Sequence, residues 1–498
     1  MICAIIGRGR HSSVLEEWEA AANAGAGLVE LRLDCLRREA DLKRLLAKRH
    51  TPVIVTVRRA ADGGLWRGDE EKRQKLIREA IVMGVDYIDL ESDIAGQIPR
   101  FGKTKRIVSY HNMRKTPEDL GELYGRCAEA NADIVKIATL AASIVDGLRL
   151  LELASETALP TIAIGMGEVG FFTRILGPKF GAPFTYAGFN PDRVFAPGLP
   201  TLKELQRTYQ FDKIDRESEI YAVIGDPVRQ SLSPAVHNAA FRALGLNKVY
   251  VPIQVPAGRV KETLGQLTSL RLKGLSVTIP HKEAIVPCLN KVDGAVGRIG
   301  SCNTVVMHDD GRVMGHNTDY RAAMDSLEEA VHGQAVQDKA GSLVGRQALI
   351  LGAGGVARAI AYGLNRRGAG VTLTNRTDER AIALAEEVGC RTIPWGMRAS
   401  TLADILVNCT PVGMHPDVDD TPMPPAGFRS GSIVFDTIYH PENTMFLKLA
   451  KERGCTTISG VDMFIRQAAL QFHLFTGQEA PMDLMRDVVR RKLGPLQS

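Results

Sequence analysis

Leu349-Ile-Leu-Gly352-Ala353-Gly354-Gly355-Val356-Ala357-Arg-Ala-Ile360 decides how the second half of this chain folds. Its apolar opening reads as a strand, its glycines as a tight turn and Val356 onward as a helix start. In that context a glycine-rich match signals a dinucleotide-binding βα unit rather than an ordinary turn. The next strand-like run, 370–374, ends in Asn375-Arg376-Thr377 and offers no Asp or Glu. An acid there would hold a ribose 2′-hydroxyl, whereas Arg376 suits a 2′-phosphate, so NADP is expected over NAD.

Upstream of that turn lie Gly-Leu-Ser-Val-Thr-Ile-Pro-His-Lys at 274–282 and Gly-His-Asn-Thr-Asp at 315–319. Lys282 and Asp319 are separated in sequence but both precede the nucleotide turn, which implies a substrate lobe followed by a nucleotide lobe. A surface ion pair is the bland alternative for the two. Further upstream, Gln230-Ser231-Leu-Ser233-Pro234 precedes a helix expected over 235–244. Its two hydroxyls can cap the helix or face an anionic ligand at its N-terminus. The polar stretch 209–219 reads as a short linker between this half and the first.

The first half repeats one pattern. Apolar runs at 2–6, 28–33, 53–57, 87–90, 106–109, 134–138, 161–164 and 184–187 give eight strand candidates, with helical patterns such as 13–24, 70–82 and 117–131 between them. Eight strand-helix units in about two hundred residues predict a (β/α)8 barrel, whose catalytic groups come from the C-terminal ends of its strands. Glu30, Arg32, Arg58, His111 and Lys136 fall at or near such ends. Lys136 stands in an apolar strand, where desolvation and nearby arginine would favour the neutral, nucleophilic amine. A snorkelling lysine and a satisfied core histidine are the bland readings of Lys136 and His111.

Composition narrows the function classes. The chain has 498 residues, 45% hydrophobic and 24% charged, with a formal charge of +5 spread thinly along it. That excludes a disordered or fibrous protein and gives no basic patch for nucleic acid, while suiting small anionic substrates. Eight cysteines without a C-x-x-C pair predict neither a disulfide framework nor a metal site. The strand-like start, and the lack of any apolar run near the roughly 20 residues that span a bilayer, lead to the expectation of a cytoplasmic protein that engages no membrane.

Residues 1 to about 210 resemble a type I 3-dehydroquinate dehydratase through V-E-L-R-L-D at 29–34, T-V-R at 56–58, S-Y-H-N at 109–112, D-I-V-K-I-A at 133–138, T-R-I-L at 173–176 and A-P-G at 196–198. The resemblance implies an imine between Lys136 and the substrate ketone, with His111 as the acid/base. It also implies that Glu30, Arg32 and Arg58 hold hydroxyls and that Arg174 grips the carboxylate. Asp62 stands where the family has a Glu that orients the histidine. Phe195 and Leu199 replace the Ser and Gln of the family's S-A-P-G-Q lid, which should weaken substrate holding.

The segment 219–498 resembles shikimate dehydrogenase through I-G-D-P-V-x-x-S-L-S-P-x-x-H-N at 224–238, the two lysine and aspartate motifs above, G-S-C-N-T at 300–304, N-C-T-P at 408–411 and G-V-D-M-F-I-R-Q-A at 460–468. The Leu of S-L-S-P stands where the family has Lys. Lys282 and Asp319 would then be catalytic, Ser231 and Ser233 would bind the substrate carboxylate, and Thr278, Asn303, Tyr439 and Gln467 its hydroxyls. NADP would lie on Gly352, Ala353, Gly354, Gly355, Val356, Ala357, Asn375, Arg376, Thr377, Thr410, Gly460 and Met463, although Met463 by its pattern alone reads as helix packing. The whole implies a bifunctional enzyme: a barrel at 1–212, a substrate lobe at 219–325 completed by a helix at 466–498, and a Rossmann lobe at 340–465. The product of the first reaction is the substrate of the second. Two alternatives stay open: a second half acting on quinate, and a barrel retained only for binding or architecture.

Overall fold

Every apolar run of the first half forms a strand: β1 Ile2–Ile6, β2 Leu28–Arg32, β3 Val53–Thr56, β4 Tyr87–Glu91, β5 Lys105–Asn112, β6 Ile134–Leu140, β7 Thr161–Met166 and β8 Thr185–Gly188. All their ladders are parallel, in the order β7-β6-β5-β4-β3-β2-β1-β8, so the sheet curls into a nearly closed barrel. These strands are apolar along nearly their whole length because helices cover the outside and side chains fill the inside. The helix expected over 70–82 is Glu70–Val82, that over 13–24 runs His11–Asn23, and that over 117–131 contracts to Leu120–Glu129. The computed structural model describes residues 1–190, 192–308, 310–334 and 342–494. The expected start of the nucleotide lobe at 340, and the last four residues of the segment 466–498, lie outside them.

The stretch read as a linker is instead folded onto its surroundings. Phe211 opens a short 3-10 turn, Phe211–Lys213, and both Phe211 and Ile214 are buried, while the amino terminus pairs with Asp212 at 2.7 Å. Its charged residues mask two apolar anchors that three-dimensional packing uses.

Two units make up the chain: Met1–Pro234 with Gly245–Leu272, and Ala235–Leu244 with Lys273–Ser498. The first adds to the barrel a parallel pair, β9 Glu219–Gly225 and β10 Lys248–Gln254. The second contains β11 Gly274–Val277, β12 Lys291–Val292, β13 Thr304–Met307 and β14 Val313–His316, in which β13 pairs antiparallel with β11 and β14.

It also contains a six-stranded parallel sheet formed by β15 Gln347–Leu351, β16 Gly370–Thr374, β17 Arg391–Thr392, β18 Ile405–Asn408, β19 Ile433–Asp436 and β20 Thr456–Ile458. Its order, β17-β16-β15-β18-β19-β20, reverses direction between β15 and β18, the crevice where doubly wound sheets bind ligands. Alternation along β15 explains its unbroken apolar run. Ala348 and Ile350 enter the core on one face of the sheet, and Leu349 and Leu351 enter the core on the other.

Candidate active sites

Side chains two apart on a strand share a face. On the barrel's inner face the sequence therefore runs Leu28, Glu30, Arg32 on β2; Ile54, Thr56, Arg58 along and just beyond β3; Tyr87, Asp89, Glu91 on β4; Ile107, Ser109, His111 on β5; and Ile134, Lys136, Ala138 on β6. Apolar residues come first and fill the bottom, and ionisable ones follow toward the C-terminal mouth. The cavity there is lined by Glu30, Arg32, Arg58, His111, Lys136 and Arg174, together with Asp62, Tyr186 and the lid residues Phe195, Ala196 and Leu199.

Lys136 is 6% exposed, with its Nζ 3.2 Å from Asp89 Oδ2, 4.0 Å from Glu30 Oε1 and 4.0 Å from the centre of the Tyr186 ring. The expected burial is there, but the lysine faces carboxylates as well as arginine. Asp89 also takes Arg58 Nη2 at 2.7 Å and a hydrogen bond from Ser109 Oγ at 2.6 Å. Burial alone would push the Asp89 carboxyl up, yet Arg58 and Lys136 together hold it well below the usual carboxylate range. Arg58 further donates to Glu91 at 3.1 Å and to Ser109 at 2.9 Å, and Arg73 locks the other Glu91 oxygen at 2.7 Å. Thr56 donates to Glu30 at 2.7 Å. Arg32 forms a two-pronged pair with Asp34 at 2.9 and 2.8 Å. Every charge in this network is compensated, which is what makes its burial tolerable.

Two cavity groups stand apart from it. Burial first, then Arg58 and Lys136, depress the His111 imidazole well below its ordinary range, so it is neutral at neutral pH, and its Nδ1 has no hydrogen-bond partner. Arg174, on the buried helix Phe171–Leu176, has no ion-pair partner among the described residues. Its Nε is unsatisfied and its Nη2 reaches only Pro197 O, at 3.5 Å. Burial lowers its ordinarily very basic guanidinium to about 10. A buried, unpaired, fork-shaped cation facing a cavity is a receptor for a carboxylate.

One expected contact is absent. Asp62 lines the same cavity but accepts from Arg59 Nε at 2.7 Å, and no bond to His111 is made. Its side chain is one methylene shorter than Glu and the adjacent arginine captures it. The lid is anchored by Gly167 N donating to Pro197 O at 3.1 Å, and Phe195 and Leu199 pack against the barrel's apolar interior. Asp89, Glu91, Ser109 and Tyr186 were not singled out from the sequence. For Asp89, Glu91 and Ser109 the signal was the polar half of a period-two pattern on β4 and β5, which in an ordinary sheet would mark a solvent face.

In the second unit Lys282 Nζ donates to Asp319 Oδ2 at 2.6 Å, and both residues are largely buried. Asp319 lies in the first turn of the helix Thr318–Gln334, whose N-terminus is held by Asn303: Oδ1 accepts from Thr318 N at 2.7 Å and Nδ2 donates to Thr318 Oγ1 at 2.9 Å. The backbone of Lys282 is tied in turn, its carbonyl accepting from Cys302 N at 2.8 Å. Gln467, on the helix Gly460–Thr476, is buried and donates to Phe464 O at 2.9 Å, and the Tyr439 ring lies 5.2 Å from that of Phe464. Thr278 O accepts from His281 N at 2.9 Å. Ser231 and Ser233 belong to the first unit, where Ser231 Oγ accepts from Ser233 N at 3.2 Å, and Ser233 opens the helix Ser233–Ala243.

The glycine turn fits a dinucleotide. Gly352 has φ +114°, and a Cβ there would sit 2.8 Å from Cys409 O, so only glycine serves. Gly354 caps the helix Gly355–Arg366 with open space around it, leaving the amides at that N-terminus free to face phosphate. A Cβ on Gly355 would lie 3.6 Å from Ser301 Oγ and 3.9 Å from Lys282 Cδ, so this turn adjoins the catalytic candidate. Arg376 is exposed beyond β16, beside Asn375, whose Nδ2 donates to Thr377 O at 3.0 Å. Asn408 Oδ1 positions Thr410, accepting from its backbone N at 2.9 Å and its hydroxyl at 2.7 Å. Ala357 is buried in the core, and Ala353 and Val356 pack against it. Met463 is 6% exposed and packs in that same apolar core, as its helix pattern suggests. Gly460 approaches Ile438 so closely that a Cβ would clash with its carbonyl.

Four family models match parts of the chain. The family model of type I 3-dehydroquinase matches 2–216, that of the shikimate dehydrogenase substrate binding domain 223–305, that of shikimate/quinate 5-dehydrogenase 334–411, and that of the shikimate 5′-dehydrogenase C-terminal domain 460–490. A chloroplastic bifunctional 3-dehydroquinate dehydratase/shikimate dehydrogenase from Arabidopsis thaliana is 37% identical over 99% of this chain and 84% of its own length. An NADP(+) shikimate dehydrogenase from Moorella thermoacetica is 43% identical over 57% of this chain and 96% of its own. Among solved structures, a shikimate dehydrogenase in complex with NADP+ superposes with a TM-score of 0.52 at 34% identity, covering 57% of this chain and 98% of that one. One from Aquifex aeolicus gives 0.50 at 33%, over 56% and 99%.

Proposed function

The chain belongs to the family of bifunctional 3-dehydroquinate dehydratase/shikimate dehydrogenases, and from that premise we propose which of its residues carry out the two reactions. It dehydrates 3-dehydroquinate to 3-dehydroshikimate through a lysine Schiff base and reduces that product to shikimate with NADPH.

In the barrel, Lys136 Nζ gives up a proton and attacks the substrate ketone, the ketone oxygen leaves as water, and the resulting iminium draws electrons from the adjoining carbon. The iminium carries the same charge as the ammonium it replaces, so Asp89 and Glu30 stay compensated throughout. His111, held neutral, removes the acidified proton and returns it to the departing hydroxyl, which leaves as water. Arg174 binds the carboxylate. Arg32 and Arg58, already paired, act by fixing Asp34, Asp89 and Glu91 and by facing substrate hydroxyls with Glu30. Asp62 is assigned to loop order through Arg59. The observation that supports this reading most strongly is the coexistence of a compensated lysine and an uncompensated arginine in one buried cavity.

In the second half, Lys282 gives a proton to the oxygen of the substrate ketone, and Asp319 holds that ammonium in place. Ser231 and Ser233 take the carboxylate, and Thr278, Asn303, Tyr439 and Gln467 the hydroxyls. NADPH supplies the hydride when bound. Gly352, Gly354 and Gly355 with Ala353, Val356 and Ala357 shape its pyrophosphate turn, Arg376 with Asn375 and Thr377 takes the 2′-phosphate, and Thr410 and Gly460 flank the crevice.

The same proposal divides the chain at 1–212, 219–325 with 466–498, and 340–465; limited proteolysis that cleaves first inside these spans counts against it. It also places the protein in the cytoplasm, where its eight free thiols would stay reduced. No helix of the described residues is long and apolar enough to cross a membrane. Fractionation that recovers the chain elsewhere overturns that location.

Borohydride added during turnover of 3-dehydroquinate tests the core of the assignment. Reduction should fix substrate mass on the peptide containing Lys136 and extinguish the dehydratase. Full labelling in Lys136→Ala would defeat it.

A further inference from the structure

Arg229 lies in the first unit, outside both catalytic sets, and joins the two groups assigned to substrate carboxylates. It sits at the tip of a turn closed by Ser231 N donating to Val228 O at 3.0 Å, so its backbone is held two residues from Ser231. Its guanidinium lies face-on to Phe171, 3.4 Å from the ring centre. Phe171 is the first residue of the six-residue buried helix that carries Arg174 one turn later. The same guanidinium forms a two-pronged pair with Glu204, Nη2 to Oε2 at 2.9 Å, and reaches Glu168 Oε2 at 3.5 Å. Glu168 follows Gly167, whose amide holds Pro197 of the barrel lid, and Pro197 O is also the atom that Arg174 touches. One planar cation thus fastens the Arg174 helix, the stem of the lid and the Ser231 turn.

We infer that Arg229 is a positioning residue shared by both reactions, setting Arg174 in the dehydratase site and Ser231 in the dehydrogenase site through a single stacked and paired guanidinium. This rests on the carboxylate roles given to Arg174 and Ser231 above. Both reactants carry that carboxylate, so a displaced anchor weakens holding of substrate rather than the chemical steps. The planar fork is needed for stacking and pairing together, which an ammonium cannot reproduce.

The test uses the full chain, with kcat and KM measured separately for 3-dehydroquinate dehydration and for NADPH-dependent reduction of added 3-dehydroshikimate. Arg229→Ala should raise both KM values about fivefold or more, the lower range of energetic coupling between sites, while both kcat values stay within about twofold. Arg229→Lys should recover only part of either KM and controls for misfolding. Arg174→Ala and Ser231→Ala should each raise one KM alone. If those two behave so while Arg229→Ala moves one KM or neither, the shared role is refuted. A fall in both kcat values with KM unmoved refutes it too, because that marks a merely structural residue. If Arg174→Ala and Ser231→Ala leave their KM values unchanged, the carboxylate assignments fall and the inference falls with them.

Discussion

Arg174→Met should make the ligand-free protein more stable and the dehydratase far worse. Burial pushes the Arg174 guanidinium down from its ordinary, very basic range to about 10, and no opposing charge contributes. The folded value lies below the unfolded one, so the buried group weighs against the fold throughout the range below about 10, including pH 7, where it is charged in both states. A buried charge left without a counter-charge costs about 3 kcal/mol. Methionine fills most of the same space without charge. Pro197 O, the one acceptor released, keeps its bond from Gly167 N. Allowing for imperfect packing, urea denaturation should show a gain of about 2 kcal/mol. Losing two charge-assisted hydrogen bonds to substrate, at about 1.5 kcal/mol each, should lower dehydratase kcat/KM by about a hundredfold. Reduction of added 3-dehydroshikimate by the same variant should be unchanged and serves as the internal control. A variant that is less stable and keeps its KM for 3-dehydroquinate would show that Arg174 is a structural cation already satisfied.

Four other outcomes follow from the geometry. His111→Asn should lower dehydratase kcat by about 10² to 10⁴ while borohydride still traps substrate on Lys136, separating proton transfer from imine formation. Lys282→Ala should depress reductase kcat over a similar range with the Kd for NADPH nearly unchanged; fluorescence titration of bound NADPH reads the second quantity. Gly352→Ala forces a Cβ against Cys409 O in a left-handed conformation, at a strain of about 1 to 3 kcal/mol, and should remove NADPH binding while leaving dehydration intact. Burial pushes the Asp436 carboxyl up from its ordinary 3.8 to about 6, against hydrogen bonds from Thr444, Ile438 and Asn408. A raised acid stabilises the fold fully below 3.8 and loses that contribution as pH rises through about 6, so Asp436→Asn should remove about 3 kcal/mol of the pH dependence of the unfolding free energy, read by urea denaturation between those two pH values. An unchanged slope would contradict the burial argument.

The barrel strands were legible because strands covered on both faces become unbroken apolar runs, and the Gly352 turn because its backbone admits no other residue. Asp89 and Glu91 were not, since Tyr87-Ile-Asp-Leu-Glu91 alternates just as a half-exposed strand does, and only closure of the sheet turns its polar face inward. The segment 209–219 misled for the opposite reason: its charges outnumber Phe211 and Ile214, which packing buries. The partner of Asp62 depends on loop geometry, which pairs its carboxylate with Arg59 rather than His111. Arg229 carries no local signal, because Phe171, Glu168 and Glu204 meet it only through the fold.

The most direct measurement starts with 3-dehydroquinate and NADPH alone, following NADPH oxidation and identifying the product by mass. The account predicts shikimate from the intact chain, none from Lys136→Ala or Lys282→Ala separately, and restored shikimate when those two variants are mixed, carried by released 3-dehydroshikimate. Shikimate formed by Lys136→Ala alone, or quinate as the product, would contradict it.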